Sequence, residues 1–553
     1  KRAEALLAFQ RELLVERNPL VDFERVLCIR RRERKKGKQT HDLALPQNWA
    51  NNTQIKPSEK IQNQILALAI DQPYEQARVL HRPERPTFVG DMDMHWDAGK
   101  ILFSSTTPAK WELFELDIDG RNLRQVQTIP DRDVDNFDAC YPPNDDILFT
   151  STACFKAVPC SNHDQVANLF RLYRETGQVR QLTFEQDQDW CPTMLPDGRA
   201  LYLRWEYSGL AHFVSRILFT MNPDGTGQRQ YLGGGDYWPN AVFYARPCPG
   251  DPGKTIGIVT GHHGVKRMGE LVLFDRNRPG KGVSSAVQRI PGYGKKVESV
   301  ILDELVDESW PKFLHPYPLG SQSNRTAAAT FFLVAAKLSP DSPRNFGIYL
   351  VDIYDNIVLL AADPDPAVAL LKPLPVRTRP RPPVIVDRVD RQRQDATVFI
   401  QSIYHGDGLK GVPRGTVKKL RVIEYDFTYR NMSAKSHQIG LDGPWDIQRI
   451  LGTVDVAEDG SAHFRIPANR PLAVQPLDQE GQALALMRSW FTGMPGEVLS
   501  CVGCHEQQSV TILNRRTIAS IDTPREITPW FGPARGFSFQ REIQPVLDRY
   551  CLS

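Results

Sequence analysis

Short apolar strands separated by tight turns repeat along the first three-quarters of the chain. Each repeat has one strand followed by a pair of strands around a turn, and the single strands read RVLCIRR, KILFSST, DILFTST, RALYLRW, TIGIVTG and TFFLVAA. The turn glycines Gly120, Gly177 and Gly225 recur at intervals of roughly 50 residues. This period is typical of β-propeller blades, because a four-stranded blade buries its two faces only between neighbouring blades.

Six such repeats predict a six-bladed β-propeller over residues 1–362, in which the first repeat packs beside the last and closes the ring. The stretch AEALLAFQRELL has helical spacing and predicts an N-terminal helix outside the blades. An open array of β-sandwiches is the alternative architecture.

The rest of the chain predicts a second domain and the start of a third. Prolines concentrate in residues 363–389, which indicates a linker. Strands and hairpins, one of them around an Asp459-Gly460 turn, predict a β-sandwich-like middle domain over 390–512. A second linker, 513–536, precedes an amphipathic stretch at 537–553 with Ser538 as its N-cap. The fold class is therefore mainly β, with a helical segment at the end.

A C-x-x-C-H motif ends the middle domain at Cys501, Cys504 and His505. The spacing brings both thiols within reach of the two vinyl groups of one porphyrin, and the adjacent imidazole is placed to bind the iron. The motif thus predicts a c-type haem. Three alternatives stay open: a zinc site, which needs two further ligands; a redox dithiol, which needs a βαβ context; and chance occurrence.

The chain ends on DRYCLS, and Cys551 begins a second C-x-x-C-H motif if the natural protein continues with Cys-His. We expect a second haem there, so that residues 537–553 are the truncated start of a helical cytochrome c domain. Among the remaining cysteines, Cys154 and Cys160 either pair in an oxidising compartment or stay as thiols.

Composition excludes some classes of partner. The chain has 68 basic and 65 acidic residues, so the net charge of +3 gives no argument for nucleic acid or an anionic membrane. The basic run at 30–38 is interpreted as a solvated loop. No apolar run approaches the roughly 20 residues that span a bilayer. The chain starts at Lys1, so we expect a processed or excised piece whose export signal is not visible.

Long phrases of the chain resemble planctomycete proteins related to the hydrazine synthase alpha subunit. They include MRSWFTGMPGEVLSCVGCHE, DGPWDIQRILGTV and TGHHGVKRMGELVLFD, and together they cover nearly the whole chain. The resemblance implies a six-bladed propeller, a middle domain with a c-type haem, and a C-terminal haem domain. By motif it implies thioether bonds at Cys501 and Cys504 and iron ligation by His505. It also implies other subunits or redox partner proteins, and an exported, periplasmic or equivalent location.

In that family the middle-domain haem reacts with nitrogen species beside a zinc ion held partly by propeller loops. The resemblance therefore implies a small-molecule ligand at the haem and zinc as a further cofactor. The loop candidates for metal ligation are Cys160, His163, Asp164, Cys191, His212, His262 and His263. Solvated polar side chains and a packed Cys191 thiol are the alternative. The family has a haem-linked tyrosine four residues after the proximal histidine, and here that position is Ser509, which weighs against hydrazine formation.

Two functions of different classes follow from these features. In the first, a haem redox enzyme binds a small molecule at an open iron site. In the second, an electron-transfer or scaffold cytochrome has six-coordinate iron, with Met487, Met494, His437 or His463 as the sixth ligand. A propeller hydrolase is disfavoured, because the chain has no G-x-S-x-G nucleophile elbow.

Overall fold

The protein divides into two compact units. The first runs to Val389, and the second comprises Asp390–Asp426 and Ile447–Ser553. This computed structural model describes residues 2–36, 39–158, 161–207, 216–233, 239–278, 282–292, 302–320, 329–426, 447–504, 515–529, 532 and 538–551. Within these residues the chain is mainly β, with α-helices at α1 (Arg2–Arg11) and α2 (Gln544–Tyr550). Neither has the length and apolar character required to cross a membrane.

The first unit is built from groups of four antiparallel strands that follow one another along the chain. The first three groups contain β1 (Arg25–Arg32), β4 (Asn63–Ala69) and β5 (Arg78–His81); β6 (Val89–Met94), β7 (Lys100–Thr106), β8 (Trp111–Asp117) and β9 (Arg124–Gln125); and β10 (Asn136–Cys140), β11 (Ile147–Ser151), β14 (Asn168–Tyr173) and β15 (Gln178–Gln181). Two small hairpins lie outside these groups, β2 (Arg34–Lys36) with β3 (Gln39–Asp42) and β12 (Ala157–Val158) with β13 (Ser161–Gln165).

Three further groups complete this unit, and one parallel pair, Arg216 with Ala241, joins the first two of them into an eight-stranded sheet. They contain β16 (Asp189–Met194), β17 (Ala200–Trp205), β18 (Arg216–Met221) and β19 (Arg229–Leu232); β20 (Ala241–Cys248), β21 (Asp251–Thr260), β22 (Glu270–Asp275) and β23 (Ala286–Ile290); and β24 (Lys312–Leu319), β25 (Phe331–Lys337), β26 (Gly347–Asp352) and β27 (Ile357–Ala361). The turn glycines Gly120, Gly177 and Gly225 have φ of 83°, 70° and 82°. These left-handed conformations favour glycine and match the predicted turns.

Neighbouring sheets share hydrophobic cores, and the first sheet packs against both the second and the sixth. One core joins Ile29 of the first sheet to Phe103 of the second and Leu350 of the sixth. Other shared cores join the second, third and fourth sheets, the fourth and fifth, and the fifth and sixth. Central strands such as β11, β17 and β26 are buried at every residue, because each sheet is covered on both faces.

The last strand of the ring lies where the sequence predicts a linker. Within 363–389, strand β28 (Val368–Pro375) pairs antiparallel with β1 and completes the first sheet. Its prolines are compatible with a strand because β28 is at the sheet edge, where one side of the backbone needs no ladder partner. Sheet pairing thus overrides the compositional signal for a linker in the first half of this range.

Residues 377–388, which we name the strap, follow β28 and lie along the same unit. The Arg379 amide donates to the Trp96 carbonyl oxygen at 2.9 Å. The Arg381 guanidinium donates to the Pro143 carbonyl oxygen at 2.8 Å. These bonds fix a proline-rich segment that composition alone describes as a linker.

One part of the basic run at 30–38 is in the interior of the protein, contrary to the interpretation as a solvated loop. Arg31 lies in β1 and only 2% of its surface is exposed. Its guanidinium donates to Asn63 Oδ1 and to two backbone carbonyl oxygens, and it lies 4.0 Å from the Phe88 ring centroid. The alternation of strand β1 turns this cation inward, where fixed acceptors replace water.

The second unit has two sheets around one core. Its strands are β29 (Asp395–Ile400), β30 (Lys419–Asp426), β31 (Ile447–Asp455), β32 (Ala462–Pro467), β33 (Pro471–Leu477), β34 (Phe491–Thr492), β35 (Val498–Cys501) and β36 (Thr528–Pro529). They form sheets of order β32-β29-β35 and β34-β33-β30-β31-β36. Val398 of one sheet and Val422 of the other belong to the same core, which agrees with a sandwich-like domain. The predicted turn at Gly460 is present, with φ 85°, but it connects strands of different sheets and is not a hairpin.

The final helix begins where its sequence predicts. Ser538 Oγ accepts a hydrogen bond from the Arg541 amide at 3.4 Å, and the turn Phe539–Ile543 leads into α2. The apolar side chains of this segment are exposed, with Tyr550 at 71%.

Candidate functional site

The C-x-x-C segment is held at the end of a strand by backbone hydrogen bonds. Strand β35 runs parallel to β29, and Cys501 lies beside Ile400. The Gln401 amide donates to the Cys501 carbonyl oxygen at 2.9 Å, and the Gly408 amide donates to that of Cys504 at 3.1 Å. A side chain at Gly503 would have its Cβ 2.3 Å from the His405 carbonyl oxygen. Glycine between the two cysteines therefore allows the 401–408 loop to lie directly against the motif.

The two motif cysteines differ in burial from three cysteines of the first unit's sheets. Cys501 and Cys504 are half-buried at the edge of the second unit's core. Cys28, Cys140 and Cys248 are sealed inside the first unit, with exposed fractions of 0%, 3% and 0%. Burial, with a smaller effect of Asp251, raises the pKa of the Cys248 thiol to about 12. The motif cysteines are thus placed for chemistry at a surface, whereas the sheet cysteines fill space.

The residues around Cys501 and Cys504 suit a covalently bound haem. Two half-buried thiols lie three positions apart at the margin of an apolar core, which supplies both the attachment atoms and a hydrophobic wall. The donor chemistry fits c-type haem. Met494 is fully buried, and Met487 packs on the cluster that contains Trp490, so both fill the core.

Several predicted residues lie outside the described residues. They are Cys160, His212, His437, His505 and Ser509. Cys551 is described and is exposed at the end of α2. His463 is on strand β32, and its Nδ1 lies 3.1 Å from the Asp522 carbonyl oxygen.

The loop after β21 brings two predicted histidines together with an aspartate that the sequence did not identify. Ligand atoms of His262, His263 and Asp303 all lie within 4.8 Å of one another. The amides of both histidines donate to the Asp303 carbonyl oxygen, at 2.7 and 3.1 Å. A side chain at Gly261 would have its Cβ 2.4 Å from that same oxygen, so glycine permits the close approach of the two segments. Among the described residues, this is the cluster with metal-ligand donors in reach of a single ion.

The donor types of this cluster suit zinc, but its hydrogen bonds favour one histidine over the other. His263 Nδ1 donates to the Asp303 carboxylate at 2.8 Å, which leaves Nε2 as a ligand atom in the arrangement usual for metal-binding histidines. His262 Nδ1 instead accepts from Arg216 Nη2 at 2.6 Å, which places its proton on Nε2. His263 is therefore ready to bind a metal, while His262 becomes a ligand only when Arg216 releases it.

The other loop candidates do not join this cluster. His163 is exposed in β13, and Asp164 accepts a hydrogen bond from Ser161 Oγ in the same hairpin. Cys191 is in strand β16 and lies at the centre of the ring of sheets. Burial beside Asp138 raises the pKa of the Cys191 thiol to about 12.

Cys191 is one of six equivalent residues that line the middle of the ring. One residue from the innermost strand of each sheet has a left-handed backbone, with φ between 48° and 54°. They are Asp91, Asp138, Cys191, Tyr244, His315 and Lys372. Each lies at a register shift between the innermost strand and its neighbour, that is, at a β-bulge.

These six residues line a narrow channel through the middle of the ring, and neighbouring charges there shift one another's pKa. Burial and the neighbouring Asp91 carboxylate raise the pKa of Asp138 to about 6. Burial, with the nearby cation Lys372, lowers the pKa of His315. These six residues share a pattern in the sequence. Each is the middle residue of a tripeptide that begins with an apolar residue or glycine and ends with Pro, Ala or Met. The pattern of apolar strands alone does not reveal it.

Comparison with known proteins gives one family match and several similar structures. Residues 415–506 match the family described as the hydrazine synthase alpha subunit middle domain. The fold is similar to that of Kuenenia stuttgartiensis hydrazine synthase, with a TM-score of 0.72 and 16% identity over 96% of this chain and 80% of that chain. TolB from Acinetobacter baumannii has a TM-score of 0.39 and 10% identity, over 64% of this chain and 67% of that chain. No curated protein matches the sequence.

The family match covers the strands of the second unit that carry the motif. Its range, 415–506, contains Cys501, Cys504 and His505. The structural likeness extends the same fold to nearly all of the chain. Residues 415–506 are therefore similar to the middle domain of the hydrazine synthase alpha subunit family, within a chain whose fold resembles that of hydrazine synthase.

Proposed function

We propose that this protein is an exported c-type haem protein, acting as a redox enzyme or an electron-transfer subunit. Cys501 and Cys504 hold the haem, and His505 binds its iron. Two observations carry the proposal: the matched middle domain contains the complete motif, and both motif cysteines are only partly buried. The exported location follows from the proposal, because thioether attachment takes place outside the bacterial cytoplasm.

Cys501 and Cys504 would hold the haem through thioether bonds, each made by addition of a thiol across one vinyl group, which needs no external oxidant. The hydrogen bonds from the Gln401 and Gly408 amides fix the backbone of both cysteines. When bound, the haem supplies an iron that exchanges electrons or binds a small ligand.

The first unit completes the proposal as a six-bladed propeller. The ring of shared cores and the pairing of β28 with β1 support this blade count. We assign the propeller the role of a docking platform for other subunits or redox partner proteins. We assign the haem a small nitrogen-type molecule as its ligand.

Zinc is the second cofactor of the proposal. His263 Nε2 would hold the ion, with Asp303 orienting the imidazole, and His262 would join when Arg216 moves away. A zinc ion held there would supply Lewis-acid chemistry. Arg216 acts as a competing cation, so the metal affinity depends on where its guanidinium lies.

A spectrum of the reduced holoprotein decides between the two kinds of haem function. If the iron has an open site, carbon monoxide shifts the Soret band of the reduced protein. An unchanged low-spin spectrum instead assigns the six-coordinate electron-transfer role, which Ser509 in place of the family tyrosine favours. A protein without any Soret band after haem maturation contradicts both roles.

A further inference from the structure

A large cavity opens at one end of the ring, away from the histidine cluster. Its volume is about 410 Å³, and it lies at the end of the β20–β21 hairpin that contains Pro247 and Gly250. In this hairpin Cys248 pairs with Asp251 at the cavity end, and Ala241 pairs with Thr260 at the end that leads to His262. The cavity therefore lies at the opposite mouth of the channel from the proposed metal site.

The walls of this cavity combine cations with apolar surface. Four arginines line it, Arg246, Arg377, Arg379 and Arg381, together with seven prolines, Trp96, Met194 and Tyr317. The described lining contains no acidic side chain. Three of the arginines belong to the strap, which forms one side of the cavity.

Two of the arginines share a single carboxylate. Asp93 lies 3.9 Å from the Arg246 guanidinium and 3.6 Å from that of Arg379, so both are long ion pairs. Arg377 and Arg381 have carboxylates of their own, Asp22 and Asp145. Arg246 and Arg379 therefore have one carboxylate between them, at long range from both.

The nitrogens of these two arginines have room for another acceptor. The Arg246 guanidinium makes no hydrogen bond within the described part of the chain, and it lies over the Tyr317 ring at 5.1 Å. Arg379 lies over Trp96 at 4.4 Å, and its buried Nε has no partner in the described structure. The Arg379 Nη2 atom donates to the Met94 carbonyl oxygen, so its Nε is the edge position left for another acceptor. Stacking uses the face of a guanidinium and leaves the remaining edge positions of both arginines for in-plane hydrogen bonds to a planar anion.

We propose that this cavity binds a small organic anion, a carboxylate with a flat apolar body. The carboxylate lies between Arg246 and Arg379, and the apolar body packs on Trp96, Tyr317 and the proline rings. Arg246 also lines the narrow channel beyond the cavity, so the charged end of the ligand points towards the ring interior. The proposed haem and zinc functions do not depend on this site.

Calorimetric titration of the full chain with 2-naphthoate and its neutral analogue 2-naphthamide tests the charge preference. We expect 2-naphthoate to bind about 10- to 100-fold more tightly, because the arginines form charge-assisted hydrogen bonds only with the carboxylate. Equal affinities, or no saturable binding of 2-naphthoate, would overturn the proposal without any mutation.

Variants of single arginines test whether 2-naphthoate binds in this cavity. Arg246→Gln should lower the affinity for 2-naphthoate about 10-fold or more and leave that for 2-naphthamide unchanged. The matched control is Arg289→Gln, since Arg289 pairs with Glu270 away from the cavity, and it should bind like the parent protein. Thermal melts establish that each variant is folded, and Arg246→Lys retains the charge if Gln proves too destabilising. A folded Arg246→Gln protein with parental affinity places the anion elsewhere and overturns the assignment.

Discussion

Three strand cysteines of the first unit and the two motif cysteines of the second occupy opposite environments. In the sheets of the first unit, Cys28, Cys140 and Cys248 are sealed between packed strands. In the second unit, Cys501 and Cys504 lie half-buried at the edge of a core, on a segment held by backbone hydrogen bonds. The difference shows that burial, rather than the presence of sulfur, separates structural thiols from thiols placed to react.

Removing both motif thiols should give the largest effect. Cys501→Ala with Cys504→Ala should lose all covalent haem after expression with maturation enzymes, because no sulfur remains at this site to attach the vinyl groups. Haem staining of denatured protein measures the loss. Cys154→Ala is the matched control, a half-buried cysteine of the first unit, and it should retain the haem. Persistent staining of the double variant at a peptide from this site would break the comparison.

Thiol labelling of the haem-free protein should sharpen the comparison. At neutral pH, a maleimide should modify Cys248 at least about a thousandfold more slowly than an ordinary exposed thiol, since its pKa is about 12 rather than about 8.5. Cys501 and Cys504 should react early. Peptide mass spectrometry over time gives the order, and modification of Cys248 before the motif cysteines would show that the two environments are not distinct.

The next largest effect should come from removing His263, the exposed histidine of the proposed zinc site. His263→Ala should weaken zinc binding about 10- to 100-fold, because it removes the ligand atom that Asp303 orients. Competition with a chromophoric chelator measures the affinity. His163→Ala is the control, since this exposed histidine lies in the β12–β13 hairpin. Parental zinc affinity in His263→Ala, or a loss in His163→Ala, would contradict the proposed ligand.

The smallest effect concerns the stability of the first unit alone. Glu115 is buried, and its pKa is lowered to about 2; burial opposes this shift, but hydrogen bonds from Arg174 and Tyr141 outweigh it. Because the folded pKa is below the unfolded one, this carboxylate stabilises the protein above about pH 4.5, and the gain is lost as the pH falls towards 2. Glu115→Gln should cost about 1–3 kcal/mol at pH 7 and about half as much at pH 3, where the folded carboxylate is still ionised.

Urea unfolding at both pH values measures this difference. Glu16→Gln serves as the control, because Glu16 is exposed and its ion pair with Arg11 spans 3.9 Å, so it should change stability little. An equal cost of Glu115→Gln at pH 7 and pH 3 would indicate that packing, not charge, gives Glu115 its effect.

The sequence predicts most strongly where burial leaves a periodic pattern. Apolar strands such as DILFTST and RALYLRW are buried on both faces, and the turn glycines adopt the left-handed conformations that their position requires. The linker prediction for 363–389 is wrong in part because edge pairing accommodates prolines that composition assigns to a linker. Short local patterns thus reveal strands, but which strands pair depends on contacts between distant parts of the chain, as for β28 and β1.

The candidate sites also differ in how far the sequence reveals them. C-x-x-C-H is visible in the sequence because all its chemistry lies within five residues. Asp303 lies 40 residues from His263, and the channel residues come one from each sheet. Such contacts arise only when the chain folds, so no local spacing identifies them.

The central claim is that Cys501 and Cys504 carry a haem on two thioether bonds. The most direct measurement is the intact mass of the purified protein, matured in a competent host, together with its absorption spectrum. The account predicts a mass above that of the polypeptide by one haem at this site and a Soret band that survives denaturation. A mass equal to that of the amino acids alone, with no Soret band, would contradict it.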